Sequence, residues 1–269
     1  MSASPRIYFH LGLPKTASTY LQHLVFPYLK GIQYFPKKYY KKFKECVAEH
    51  PEAARFLFSV EEDLHLRARM EQLAAHDPEI QVILVFRRHD SWLKSKYYYF
   101  IRKHGWATFD AFLMDRQHPN GFGGLEGFSY RRCIEWAEEL FAHPPLVLIF
   151  EDLQAHPARF MVRLTQFTHT KLSDAAPLHR RLNTAFSPRQ LYWLRRYNAR
   201  VQYRPSSHPA RAVRWVHYKA HQLGLHTVAQ VAGYLPDAKV PLIDPQELSA
   251  LRARYADDWA FCLRYAEKA

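Results

Sequence analysis

The stretch Gly12-Leu-Pro-Lys-Thr-Ala-Ser-Thr19 sits between the apolar run Ile7–Leu11 and a helical pattern that begins near Ser18. A phosphate loop of the form GxxxxGK[ST] surrounds its ligand with backbone N–H groups, reaches the terminal phosphates with its lysine and binds magnesium through the hydroxyl. Here the closing Gly-Lys-Ser/Thr is absent, and Lys15 stands three residues early, inside the loop. Lys15 would reach back over an outer anionic group, while the N–H groups of Thr16 to Thr19 address an inner phosphate at a helix N-terminus. Such a loop suits a phosphate-linked anion handled without an essential metal.

Positioning that turn requires a strand before it and a helix after it. Four apolar runs, Ile7–Leu11, Arg55–Val60, Val82–Phe86 and Leu146–Phe150, have the length and β-branched or aromatic content of strands buried on both faces of a parallel sheet. Leu21, Leu24, Val25, Tyr28 and Leu29 recur on one helical face after the first run, and Leu93, Tyr97, Phe100 and Ile101 after the third. Asp90 is placed to cap the latter helix and Gly105 to end it. Further helices are expected at 130–141, 158–167 and 188–201. The succession predicts an α/β fold, a three-layer parallel sheet with right-handed crossovers and helices on both faces. The segment Tyr203–Pro209, with two prolines and two serines, reads as a linker. Beyond it, Leu248, Leu251, Tyr255 and Cys262 have the spacing of helices that dock on a core. We expect one domain over 1–269, of which 202–269 is a helical C-terminal portion.

Composition limits the chemistry. The 269 residues are 48% hydrophobic and 15% aromatic, enough for one large core. No apolar run approaches the ~20 residues of a membrane span, and the N-terminus does not read as a secretory signal, so a cytoplasmic protein is expected. Cys46, Cys133 and Cys262 lie too far apart for a metal-binding motif and read as buried thiols. The net charge of +13 implies a polyanionic partner: nucleic acid, anionic glycan, lipid surface or charged cofactor. The densest basic run, Lys37 to Lys44 "KKYYKKFK", is either a solvated lysine face over packed tyrosines or a contact for an acidic substrate.

"HLGLPKTASTYLQ" resembles the 5′-phosphosulfate loop of sulfotransferases that use 3′-phosphoadenosine-5′-phosphosulfate (PAPS), with Ala17 at the family's small-residue position. The resemblance implies a donor site formed by Pro14, Lys15, Thr16, Ala17, Ser18 and Thr19, and PAPS as sulfuryl donor with no metal required. The family also has an arginine at the end of a later strand and a serine eight positions on, holding the donor's 3′-phosphate; Arg87 and Ser95 have that relation. His89 replaces the proline usual two residues after the arginine, which leaves Arg87 and Arg88 as alternatives. "LVLIFEDLQAHPARFMVRLTQFT", "RRLNTAFSPRQLYWLRRYN" and "LRARYADDWAFCLRYA" are similar to further family segments. The likeness covers most of 6–202 and resumes near 248.

Sulfuryl transfer needs a base at the acceptor hydroxyl and a cation at the departing phosphate oxygen. Lys15 suits the cation, and the resemblance places the base at Glu61, with Glu62 as its rival. Alternatively Glu61, Glu62 and Asp63 only charge the next helix's N-terminus. His10 reads as a packed, hydrogen-bonded residue. Two other functions compete. A P-loop kinase would share the architecture but lacks its Gly-Lys-Ser/Thr, and a nucleic-acid-binding protein rests on charge alone. The acceptor is open: surplus charge favours an anionic glycan or glycoconjugate, and a small aromatic or lipid hydroxyl is the alternative.

Overall fold

The structure, a computed structural model, describes residues 4–61, 65–114, 128–180, 182, 186–203, 210–236 and 241–268. Strand β1 (Arg6–Gly12) runs into the loop and then α1 (Ser18–Tyr20), which continues as a π-helical turn (Leu21–Val25) and a 3₁₀ turn (Phe26–Tyr28). There follow β2 (Leu29–Lys30), β3 (Gln33–Phe35), α2 (Phe43–Ala48), β4 (Arg55–Glu61), α3 (Leu66–Ala74) and β5 (Gln81–Phe86). Helices α4 (His89–Arg102), α5 (Phe109–Met114) and α6 (Tyr130–Leu140) lead to β6 (Leu146–Ile149), α7 (Phe150–Ala155), α8 (Pro157–Phe167) and β7 (Lys171–Leu172). The chain ends with α9 (Pro188–Val201), α10 (Arg211–Val231), α11 (Pro245–Arg254) and α12 (Ala256–Lys268).

These elements form two compact units, Met1–Trp92 with Phe128–Leu182 and Arg252–Ala269, and Leu93–Gly127 with Asn183–Leu251. The first contains a five-stranded sheet in the order β3-β4-β1-β5-β6, parallel at every pairing. All four expected strands are present. The short edge strand β3 and the antiparallel β2–β7 ribbon, two residues a side, were not foreseen, because pieces this short carry no periodicity.

Alternation along the strands sorts the core into two layers. Tyr8, Leu57, Ile83, Val85, Leu146 and Leu148 pack with Leu21, Val25 and Phe26 from the helical run after the loop and with Phe160 and Leu164 of α8. On the other face Phe9 and Phe35 stack on Phe58, and Phe86 stacks on Tyr130 of α6. Each fully buried aromatic contributes on the order of 1.5–3 kcal/mol over an exposed one. The lysines of "KKYYKKFK" are exposed, its tyrosines half-buried and Phe43 buried, as a solvated face over aromatics requires. The three cysteines are buried free thiols.

In the second unit, α4 ends at a left-handed residue, His104 (φ 80°), and the Gly105 N–H returns to the Phe100 carbonyl. Gly105 therefore takes the position after the left-handed one. A β-carbon there would lie 2.3 Å from the Phe100 ring, so its requirement is space. Asp90, expected as the cap of α4, lies within the first turn and pairs instead with Arg88 and Arg252. Residues 204–209, most of the expected linker, lie outside the described residues.

One carboxylate ties the C-terminal helix α12 to the start of α6. Asp258 of α12 accepts hydrogen bonds from the backbone N–H groups of Tyr130 (2.8 Å) and Arg131 (3.0 Å) and from the Ser129 hydroxyl, which itself caps α6 by accepting from the Arg132 N–H. These donors are the orphan groups of a helix N-terminus, and the helix dipole adds to them. Although burial opposes ionisation, His89 beside it and these hydrogen bonds hold the Asp258 carboxyl at about 2. A depressed carboxyl stabilises the fold above its unfolded pKa, and that contribution is lost as pH falls through the folded value. Asp258→Asn should therefore cost roughly 2 kcal/mol in urea unfolding at neutral pH, and the difference from the parent should shrink between about pH 4 and pH 2.

Candidate active site

The loop leaves the C-terminal end of β1, the central strand of the sheet. Its conformation is unusual for the residues it holds: Lys15 (φ 72°) and Ala17 (φ 69°) both lie in the left-handed region without being glycine. Non-glycine residues there cost on the order of 1 kcal/mol each and persist only where their surroundings over-determine them. Those surroundings are visible. The Thr16 and Ser18 hydroxyls both turn inward and donate to the Leu13 carbonyl, at 2.6 Å and 3.2 Å. The indole N–H of buried Trp92 holds the Pro14 carbonyl at 2.8 Å, and an Arg87 N–H reaches the Lys15 carbonyl at 3.4 Å. Thr16 and Ser18 thus have their hydroxyls engaged within the loop, and what they offer outward is backbone N–H. Thr19 is exposed, while Pro14, Lys15 and Ala17 are half-buried. The left-handed φ of Ala17 gives the physical reason for a small residue at that position.

Beneath the loop lies a polar contact set inside the apolar layer. His10 is fully buried, its Nδ1 2.8 Å from Ser59 Oγ, which also accepts from Gln22 Nε2 at 2.9 Å. Burial pulls His10 down to about 3, so the imidazole is neutral at ordinary pH. Its Nε2 has no hydrogen-bond partner among the described residues. A β-carbon on Gly12 would lie 2.5 Å from His10 Cε1 and Nε2 and 3.0 Å from Ser18 Oγ. The backbone can pass over the imidazole only because residue 12 has no side chain.

Glu61, the last residue of β4, pairs in register with Gly12 on the adjacent strand, half-buried. Alternation puts both on the sheet face that carries Tyr8 and Leu57, under the loop helix. The C-terminal edge of an open parallel sheet is where such folds place their ligands. Glu62 and Asp63 lie outside the described residues.

Arg87 and Arg88 follow β5 and part company. Arg88 is paired with Asp90, Nε to Oδ1 at 2.7 Å, and Asp90 is shared with Arg252 at 2.9 Å. Arg87 turns toward the loop. Its Nε donates to Ser91 Oγ at 2.9 Å, its guanidinium lies 4.4 Å from the centre of the Phe150 ring, and no carboxylate forms an ion pair with it among the described residues. Burial pulls its pKa below the ordinary arginine value, with nearby Glu151 pushing the other way. The Arg87 carbonyl accepts from the hydroxyl of fully buried Tyr130 at 2.7 Å. Ser95 lies in the second turn of α4, half-buried, and belongs to the second unit.

The structure therefore brings Lys15 and Arg87 together, and Glu61 beside Gly12. Sequence reasoning missed Ser91, Trp92 and Tyr130; it read His10 as packed and hydrogen-bonded, as found, but did not name its partners Ser59 and Gln22. Ser91 had a legible signal, four residues after Arg87 on a helix; Trp92 and Tyr130 reach the site from far along the chain and had none.

Comparison of the architecture with solved structures finds a sulfotransferase from Alicyclobacillus acidocaldarius at TM-score 0.52 and 12% identity, covering 67% of this chain and 87% of that one. This is a sulfotransferase fold. Mouse sulfotransferase SULT7A1, solved in complex with PAP, matches at TM-score 0.43 and 14% identity over 64% of this chain and 62% of its own. No protein-family model and no curated protein sequence matches the chain.

The contact under Gly12 sets a test of the loop's support. Gly12→Ala should destabilise the protein by about 1–3 kcal/mol, since the imidazole is wedged against Phe26 and tied to Ser59. Adding His10→Ala should recover part of that loss, giving a non-additive double-mutant cycle in urea unfolding. Additive losses would mean that the imidazole is not what the new methyl meets.

Proposed function

We propose that this protein transfers a sulfuryl group from PAPS to a hydroxyl, with residues 1–269 acting as one catalytic domain. The observation that carries this reading is Arg87: a half-buried guanidinium, turned to the loop and bonded to a hydroxyl and a carbonyl but paired with no carboxylate among the described residues. A partly buried charge with no carboxylate in ion-pair contact is costly, and a bound anion would supply that contact. Arg88, whose charge is already met by Asp90, has less need of one, which supports Arg87 for the 3′-phosphate. Assignment of Ser95 to the same phosphate rests on its spacing in the sequence.

The donor set fits a phosphate-bearing ligand. It consists of an ammonium, a guanidinium and backbone N–H groups at the start of a helical run, with hydroxyls already committed inward. PAPS, when bound, supplies the sulfuryl group: a bond forms from sulfur to the acceptor oxygen as the bond from sulfur to the 5′-phosphate oxygen breaks. Glu61 takes the proton that the acceptor hydroxyl loses. Lys15 holds the negative charge left on the phosphate oxygen, while Thr16 to Thr19 address the phosphate through their N–H groups. Because the roles of Glu61 and Lys15 fall on opposite ends of one displacement, they are separable by experiment. The acceptor we favour is an anionic glycan or glycoconjugate, from the surplus of positive charge.

Calorimetry tests the donor. Adenosine-3′,5′-bisphosphate should bind far better than AMP, and Arg87→Ala should weaken the bisphosphate by roughly ten- to a hundredfold while AMP hardly changes. Equal affinity of the parent for both nucleotides would sink the assignment.

Turnover tests the chemistry. Glu61→Gln should lower kcat by about 10²-fold or more with donor affinity within a few-fold, and the defect should shrink on acidic phenols. Lys15→Ala should lower turnover on every acceptor alike. Activity that persists after magnesium is chelated separates this reaction from that of a P-loop kinase.

A further inference from the structure

Helix α10 buries one face and carries apolar side chains on the opposite, exposed one. His221, Leu225 and Ala229, four residues apart, form its buried stripe within the second unit. Round the far side, Val213, Val216, Ala220, Leu223, Thr227 and Val231 follow at intervals of three and four. All ten residues from Arg211 to Ala220 are exposed. Leu223 is 66% exposed, Trp215 59% and Val216 57%, and Tyr234, just past the helix, is 93% exposed. Single exposed apolar side chains need no explanation, but a stripe at helical spacing does.

We infer that this outer face of α10 binds the surface of an anionic lipid bilayer. Charge is the first argument. The helix carries Arg211, Arg214 and Lys219 and not one Asp or Glu. By helical spacing Lys219 borders the outer stripe, while Arg211 and Arg214 lie round toward the buried one; a second copy of the helix would bring no acidic group to Lys219, whereas anionic headgroups attract it. Shape is the second. The stripe is a convex row of side chains on a helix exposed all round its first ten residues, and a deformable bilayer interface fits such a row without a groove on either side. An aromatic is the third. Trp215 lies to one side of the stripe, beyond Lys219, whose ammonium is 5.5 Å from the Trp215 ring centre, and such an amphipathic ring settles at headgroup depth. No helix among the described residues is long and apolar enough to cross a membrane, so α10 lies in the interface plane. The inference does not depend on the transfer reaction.

The test is vesicle flotation of the full chain, with phosphatidylcholine alone and with phosphatidylglycerol added. The parent should bind the anionic vesicles at least about tenfold more tightly, less so as salt rises. Replacing Val216→Ser and Leu223→Ser together, at exposed positions where the urea midpoint should not move, should weaken that binding by about tenfold or more. Brominated acyl chains should quench the parent's tryptophan fluorescence more than that of Trp215→Phe. Three results would overturn the inference. They are failure to bind anionic vesicles, binding that responds to salt but not to the serine pair, and a dimer in solution that the serine pair dissolves.

Discussion

The guanidinium of Arg87 is the constraint around which the first unit is arranged. A half-buried cation with no carboxylate in ion-pair contact among the described residues is tolerable only if its geometry is held and its charge is met, here in part by nearby Glu151. The first condition is satisfied on every side: Ser91 accepts from Nε, the Lys15 carbonyl accepts from a terminal nitrogen, and the Phe150 ring lies against the guanidinium. Its own carbonyl is fixed by Tyr130, whose ring is clamped between Phe86 and His89, with centroids 4.4 Å and 3.9 Å away. Burial holds the Tyr130 hydroxyl well above its ordinary pKa, so it remains a donor.

That arrangement gives the C-terminal helix a function beyond covering the sheet. Asp258 caps α6 at Tyr130, and Tyr255 stacks on His89 from the side opposite Tyr130, at 4.2 Å with the planes 3° apart. The last helix of the chain thus positions the tyrosine that positions Arg87, a connection across more than a hundred residues of sequence. His89, which stands where the family resemblance leads one to expect proline, is the middle ring of that stack. Its replacement of proline exchanges a fixed backbone angle for an aromatic clamp and a carboxylate partner, Asp258, 3.1 Å from Nε2.

How much of this was legible from the sequence follows from the range of each interaction. The four long strands and the helices at 130–141, 158–167 and 188–201 announce themselves because burial on one or both faces writes a local period into the residues. The loop was legible because glycine, lysine and hydroxyls at fixed offsets have few structural uses. Its left-handed turns at Lys15 and Ala17 were not, since neither residue is the glycine that normally marks such a φ. The choice between Arg87 and Arg88 could not be made from two adjacent identical residues. What distinguishes the two is the pairing of Arg88 with Asp90, which Arg252 shares, and Arg252 is brought in by tertiary structure alone.

The polar set beneath the loop shows a different kind of dependence. A neutral histidine with one unpartnered nitrogen is an expensive thing to bury in an apolar layer. Its Nδ1 is met by Ser59, two residues before Glu61 on β4, and Ser59 is in turn met by Gln22 on the helical run that follows the loop. Strand β1, strand β4 and the loop helix are therefore tied at one point, directly under Gly12. A shift of β4 by one residue would turn Ser59 away from His10 and Glu61 away from Gly12 in the same step, because the two share a face. The contact that meets the cost of burying His10 thus also holds the register that puts the Glu61 carboxylate beside the loop.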